Sequence, residues 1–205
     1  MHLYEDIHAL GRSQKLVQRV ESGLSVLNSK NLQQGVKARR GDGSFGEIVP
    51  NADPIRDEGF AVLRGPIATI EIGIEVKIMM KAMIKQIDRV ANDLQSQVNH
   101  FRQRSSNPIS VGIVGINHST HCTTYEGDRA YQTDGKKHKH PIDEAAEAEE
   151  RLKLHSAPIF DEFIVLRFRA TNEEPFKFEW VDKAETVLDY GAALVRIGQA
   201  YDKRI

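Results

Sequence analysis

The chain has one cysteine and one tryptophan in 205 residues. A lone thiol, Cys122, excludes an intrachain disulfide framework and fits a reducing compartment, so a cytoplasmic protein is expected. Charge of one sign is also lacking: 28 Lys and Arg stand against 29 Asp and Glu, a formal net charge of −1. That balance excludes a wholly basic, histone-like binder, and any polyanion must be met by a local patch. Long apolar runs are missing. The most apolar stretch, 66–74, is broken by Glu71 and followed by Glu75 and Lys77, far short of the ~20 apolar residues of a spanning helix. Met1 to Asp6 shows neither the basic nor the apolar region of a signal peptide. The expectation is a soluble protein without a membrane partner. Neither a Gly-x-x-x-x-Gly-Lys loop nor a Gly-x-Ser-x-Gly elbow occurs, which argues against a P-loop ATPase and an α/β-hydrolase.

What is present reads as one domain over 1–205, with a polar insertion at about 117–140. Apolar spacing predicts helix over 2–28, with Gly11 as a candidate break. Residues 31–46 are polar and Gly-rich, with a basic spot at Lys37, Arg39 and Arg40, and Gly41 to Gly46 reads as a loop. A hairpin is expected next: a short strand at 60–64, a Gly65-Pro66 turn and a longer strand over 68–78. Residues 79–104 carry the clearest helical stripe, from Met80 to Phe101, and Asn107-Pro108 closes it. The run 109–116 is nearly all apolar or Gly, the signature of a strand covered on both faces. A helix over 141–154, strands at 163–169 and 176–180, and a last helix capped by Asp182 with Glu185 complete the order. The fold class is α/β, a central mixed sheet flanked by helices.

The strand at 68–78 carries the functional argument. Alternation places Ile70, Ile72, Ile74, Val76 and Ile78 on one face and Thr69, Glu71, Gly73, Glu75 and Lys77 on the other, ~7 Å between same-face neighbours. A half-solvated strand explains this pattern. Inside a sheet, however, such a row must be paired, bind a metal or face a cleft, since an unpaired buried charge costs several kcal/mol. Asp57 and Glu58 precede the expected hairpin, which would bring Asp57 beside Glu75. Glu47 follows the Gly-rich loop. Three carboxylates and a lysine suit metal-assisted phosphodiester hydrolysis: oxygen ligands hold Mg²⁺, the metal activates a water, and the ammonium steadies developing charge.

In these residues the chain resembles the PD-(D/E)XK nuclease superfamily, the restriction-endonuclease-like fold. The match is Asp57, then eighteen positions on Glu75-Val76-Lys77 as the E-x-K element on an apolar strand, with Glu47 similar to the acidic residue on the family's first helix. The order from about residue 15 to 117 resembles the family's αβββαβ core. Asp57 follows Arg56 rather than proline. Asp53, which precedes Pro54, is the alternative, and apolar 60–63 favours Asp57. The resemblance implies an Mg²⁺-dependent endonuclease hydrolysing double-stranded DNA, of restriction or phage-defence type. It makes Asp57, Glu75 and Glu47 the catalytic metal ligands and Lys77 the electrostatic catalyst. A homodimer, with two sites for two strands, is an assembly it allows. The rival is a non-catalytic nucleic-acid-binding or protein-interaction module on the same mixed sheet.

Phosphate contacts are expected from Lys81 and Lys85, at the start of the long helix, and from the Lys136, Lys137 and Lys139 cluster. Residues 77–104 hold six Lys and Arg against two Asp. Long loops in compact domains are more often functional than idle. His118, His121, Cys122, His138 and His140 share the insertion, but their spacing matches no well-defined zinc module, and Cys122 lacks a second cysteine.

Overall fold

A computed structural model describes residues 2–33, 36–37 and 43–205, less the side chains of 29–33, 36, 37 and 104. Arg39, Arg40 and Asp42 lie outside the described residues. The fold is α/β, with a mixed sheet between two helical layers. Its elements in chain order are α1 (Leu3–Leu10), α2 (Gln14–Glu21), β1 (Ser25–Gln33), β2 (Val36–Lys37), β3 (Gly43–Glu47), β4 (Arg64–Ile67) and β5 (Ile72–Met79). Then come α3 (Met83–Arg104), β6 (Ile109–Asn117), β7 (Thr123–Glu126), β8 (Arg129–Gln132), α4 (Pro141–His155), β9 (Glu162–Arg169), β10 (Glu179–Trp180) and α5 (Lys183–Arg204).

The main sheet runs β10-β9-β6-β5-β3-β1-β2, with β4 beside β1. β5, β6 and β9 are parallel, and β3 lies antiparallel between β5 and β1. All nine residues of β6 are buried, as expected of a strand with parallel neighbours and helices on both faces. One core joins α1, α2 and α5 to Phe45, Ile72, Ile74, Val111, Ile113 and Ile164. The other joins α3 and α4 to Met79, Val114 and Ile116. The Asp182 side chain accepts from the Glu185 N–H at 2.9 Å and opens α5.

Three expectations are corrected. The 2–28 helix is two short helices: Gly11 stands at φ +64° and Ser13 caps α2. From Ser25 onward the backbone is strand. Gly41 to Gly46 is not all loop, because β3 starts at Gly43 and buries Phe45 completely. A side chain at Gly46 would meet the Thr69 carbonyl oxygen at 1.9 Å, so the glycine reflects backbone contact rather than a turn. Finally, Gly65-Pro66 is inside β4, which pairs parallel with β1 and not with β5. Pro66 lacks an N–H, which a strand with one ladder partner tolerates. The antiparallel partner of β5 is β3.

The polar row also shifts phase. Ile70 packs with Phe101 of α3, whereas Ile72 joins Phe45 in the opposite core. Glu71 therefore points toward α2 and α5. It accepts from Ser25 Oγ at 2.8 Å, from Arg19 Nη2 at 2.5 Å and from the Tyr201 hydroxyl. Burial first, and the Glu71 charge second, push the Tyr201 phenol above its ordinary pKa. This buried network ties four segments together and leaves Glu71 committed to the fold.

Candidate active site

Glu75 and Lys77 are brought together by the pleat of β5. Ile74 and Val76 belong to the α1/α2/α5 core, so their odd-numbered neighbours face α3. Lys77 Nζ lies 2.8 Å from Glu75 Oε1 and 3.8 Å from Asp93 Oδ2 on α3. Side-chain exposure rises from 7% at Glu75 to 27% at Lys77 and 44% at Asp93. The cluster thus runs outward from a buried carboxylate to an open one. Glycines shape its surroundings: Gly112 stands opposite Glu75 on β6, and a side chain at Gly73 would meet the Phe101 ring at 2.6 Å. β3 pairs with β5 only as far as Ile74, so among the described strands β6 alone accompanies Glu75 and Lys77.

Asp57 does not join them. Its carboxylate is gripped by Arg64, with Nη2 to Oδ1 at 2.7 Å and a second contact from Nε. That hydrogen bonding holds its pKa below the ordinary range. Both residues line a 430 Å³ cavity with Tyr4, Ile74, Val76 and Ile113, on the face of β5 opposite Glu75. Glu47 ends β3 opposite Ser25, four residues or ~13 Å of strand from Gly43. It sits on a strand, not a helix. Asp53 is exposed in the loop before β4. Among the described residues no three His, Cys, Asp or Glu gather as a metal site. Asp93 is the carboxylate that sequence reasoning passed over. Its signal was a position ten residues into α3, where a helix returning antiparallel over its own strand comes level with Glu75.

The lysines fare differently. Lys81, Lys85, Lys137 and Lys139 line one groove of 990 Å³ between the start of α3 and the β7–β8 hairpin. Tyr131, Gln132 and Thr124 form its hairpin wall. Lys136 is on the same turn but not in the lining. Among the described residues none of the four lining lysines has a carboxylate within ion-pair distance. Glu126 also lines the groove, while two other acidic residues of the lining are used otherwise. Asp134 accepts from the backbone N–H groups of His138, Lys136 and Lys137, which holds its pKa down and fixes the turn. Glu144 accepts from Met83 N at 2.9 Å and caps α3. That helix starts from Ala82 in the left-handed region, φ +49°. Behind it, buried Asn117 donates to the Met80 and Ala170 carbonyls at 3.2 and 2.7 Å, clamping the turn that carries Lys81.

The histidines of the insertion disperse. His121 meets Glu173 at 3.0 Å, and His140 meets Thr133 at 3.2 Å while starting α4. Burial lowers the pKa of His118 and pushes the Cys122 thiol up. Compared with known proteins, the chain matches no family model, no curated protein and no solved structure.

Proposed function

We propose that this chain is a metal-dependent nuclease that hydrolyses DNA phosphodiester bonds at Glu75 and Lys77, with Asp93 as the facing carboxylate. The observation that carries the reading is the Glu75–Lys77–Asp93 cluster, in which an E-x-K pair on β5 meets a carboxylate of α3. Further support comes from element order: with β2 and β4 set aside as additions beside β1, the elements α2, β1, β3, β5, α3 and β6 run in an αβββαβ order, with β1, β3 and β5 antiparallel in turn and β6 parallel to β5.

The donor set fits Mg²⁺. That ion is usually held by one or two carboxylates together with waters and substrate oxygens, and Glu75 and Asp93 are hard oxygen donors on either side of one ammonium. When bound, the ion supplies an acidified water and polarises a phosphoryl oxygen. Glu75, buried and fixed by the ladder, orients the site. Lys77 stabilises negative charge developing on the phosphate, as a cation already held in place by Glu75. Asp93 leaves the site open to solvent. The four groove lysines, unpaired among the described residues, are the candidates to hold the phosphate backbone, which a chain of near-zero net charge must meet with a local patch.

The test is cleavage of supercoiled plasmid with and without Mg²⁺. Metal-dependent nicking by the parent, lost in Glu75→Gln, is the expected result. Binding of the plasmid without cleavage in either condition would instead favour the non-catalytic binding module.

A further inference from the structure

The groove that holds the four lysines has a strand for one wall. Ala130, Tyr131 and Gln132, successive residues of β8, all line it. Successive side chains of a strand point to opposite faces, so the groove runs along the edge of β8 and not over one of its faces. β8 pairs with β7 alone among the described residues. A strand with one partner turns every second N–H and C=O away from it. The groove is therefore bordered by backbone donors and acceptors as well as by ammonium groups.

Tyr131 stands in the middle of this wall. It is 48% exposed, and among the described residues its ring meets no other ring and its hydroxyl no hydrogen-bond partner. Its cross-strand neighbour is Thr124, which leaves much of the ring open. The platform is fixed nonetheless. Thr123 Oγ1 and Gln132 Nε2 donate to Glu173 at 2.7 and 2.9 Å, which ties both strands of the hairpin to the segment after β9. A duplex matches such a wall poorly, because its bases stack on one another and its pairing edges are taken. An unpaired strand matches all of it: phosphates for the ammonium groups, a base face for the tyrosine ring, and free base edges for the backbone groups.

We propose that the groove takes an unpaired nucleic-acid strand with Tyr131 as its stacking platform, which makes a duplex with a single-stranded tail the preferred DNA. The proposal rests on the nucleic-acid reading of the lysine groove. It does not rest on cleavage, because it uses none of Glu75, Lys77 and Asp93.

Fluorescence anisotropy of the full chain without Mg²⁺ tests it, with two labelled DNAs of equal phosphate number, one a blunt duplex and one a duplex with a single-stranded tail. The parent is expected to bind the tailed DNA about tenfold more tightly, the scale of one stacked base. Tyr131→Ala should bring the tailed DNA down to the affinity of the blunt one. The slope of log affinity against log salt should stay that of the parent, since no ammonium is lost. Tyr131→Phe should keep the preference, and Lys85→Ala should weaken both DNAs alike. A preference that depends on Tyr131, found in a protein that does not cleave in Mg²⁺, upholds the proposal and removes the nuclease reading. Equal affinity of the parent for the two DNAs overturns the proposal and leaves duplex cleavage standing, and so does a preference that survives Tyr131→Ala. Binding of neither DNA overturns it together with the nucleic-acid reading of the groove. Displacement of the tailed DNA by a polyglutamate peptide of equal charge and concentration also overturns it, since the β8 edge would then hold an extended acidic chain.

Discussion

In the proposed nuclease, Lys77 is the residue on which stability and chemistry would meet. Its ammonium lies between a buried carboxylate and an exposed one, so Lys77→Ala leaves Glu75 as a charge deprived of its nearest counter-ion. Breaking a buried pair from one side costs more than replacing both partners. Lys77→Ala should therefore lower stability by about 2 kcal/mol in urea titration, below the ~3–5 kcal/mol of a fully buried pair because the lysine is partly open. Glu75→Gln combined with Lys77→Met should lose less than that single change. Equal or larger loss in the double variant would show that the pair is not coupled. Glu149 is a second residue whose charge stabilises the fold. Burial pushes its pKa up, but hydrogen bonds and charge from Arg167 and Lys153 outweigh this and bring it down to about 2. A carboxylate with a depressed folded pKa stabilises above its unfolded value and loses that contribution as pH falls. The loss should run from about pH 4.5 to about pH 2 and amount to roughly 3 kcal/mol. Comparing urea midpoints of the parent and Glu149→Gln across this window checks it: the two should converge at the acid end.

At the scale of elements, strand assignment depended on what each glycine was read to mean. Apolar continuity made β6 legible, and the Asp182/Glu185 pair made the start of α5 legible, because both signals are local. β3 was hidden, since Gly43 and Gly46 read as loop residues. Their actual cause is long-range: the Thr69 backbone passes against Gly46, a contact no window of sequence contains. The Gly65-Pro66 pair was misread for the same reason, because its strand pairs with β1, some 37 residues earlier in the chain. Two substitutions test this account. Gly73→Ala drives a methyl into the Phe101 ring and should cost about 1–3 kcal/mol. Gly46→Ala meets a carbonyl oxygen that cannot rotate away, so it should cost more than Gly73→Ala or prevent folding. Thermal and urea unfolding of both variants give the order. The reverse order would mean that β3 can separate from the Thr69 segment without penalty.

For the molecule as a whole, the layered architecture converts a near-neutral composition into local fields. The crossover from β5 through α3 to β6 presents Lys81 and Lys85 at one end of the sheet, and the insertion folds back to add Lys137 and Lys139. The Lys136, Lys137 and Lys139 run was visible as a basic cluster and Lys81 and Lys85 as cations off the apolar stripe of α3, but that four of the five share one groove depends on how the insertion folds back. The carboxylate set was only half legible. Glu75 and Lys77 share a strand and needed alternation alone, whereas Asp57 was assigned through a hairpin that does not form, and Asp93 reaches the site only through tertiary packing of α3. Replacing Lys81, Lys85, Lys137 and Lys139 together by Ala should weaken duplex binding at low salt. It should also flatten the dependence of log affinity on log salt by about 0.9 for each phosphate no longer neutralised. An unchanged slope would place binding on another surface.

The most direct measurement is the single-turnover cleavage rate of duplex DNA in saturating Mg²⁺ for the parent, Lys77→Ala and Asp57→Ala, each shown to be folded by circular dichroism. The account predicts a loss of about 10²-fold or more for Lys77→Ala, the scale of one preorganised electrostatic contact, and a rate near that of the parent for Asp57→Ala. Cleavage by Lys77→Ala as fast as by the parent would contradict it.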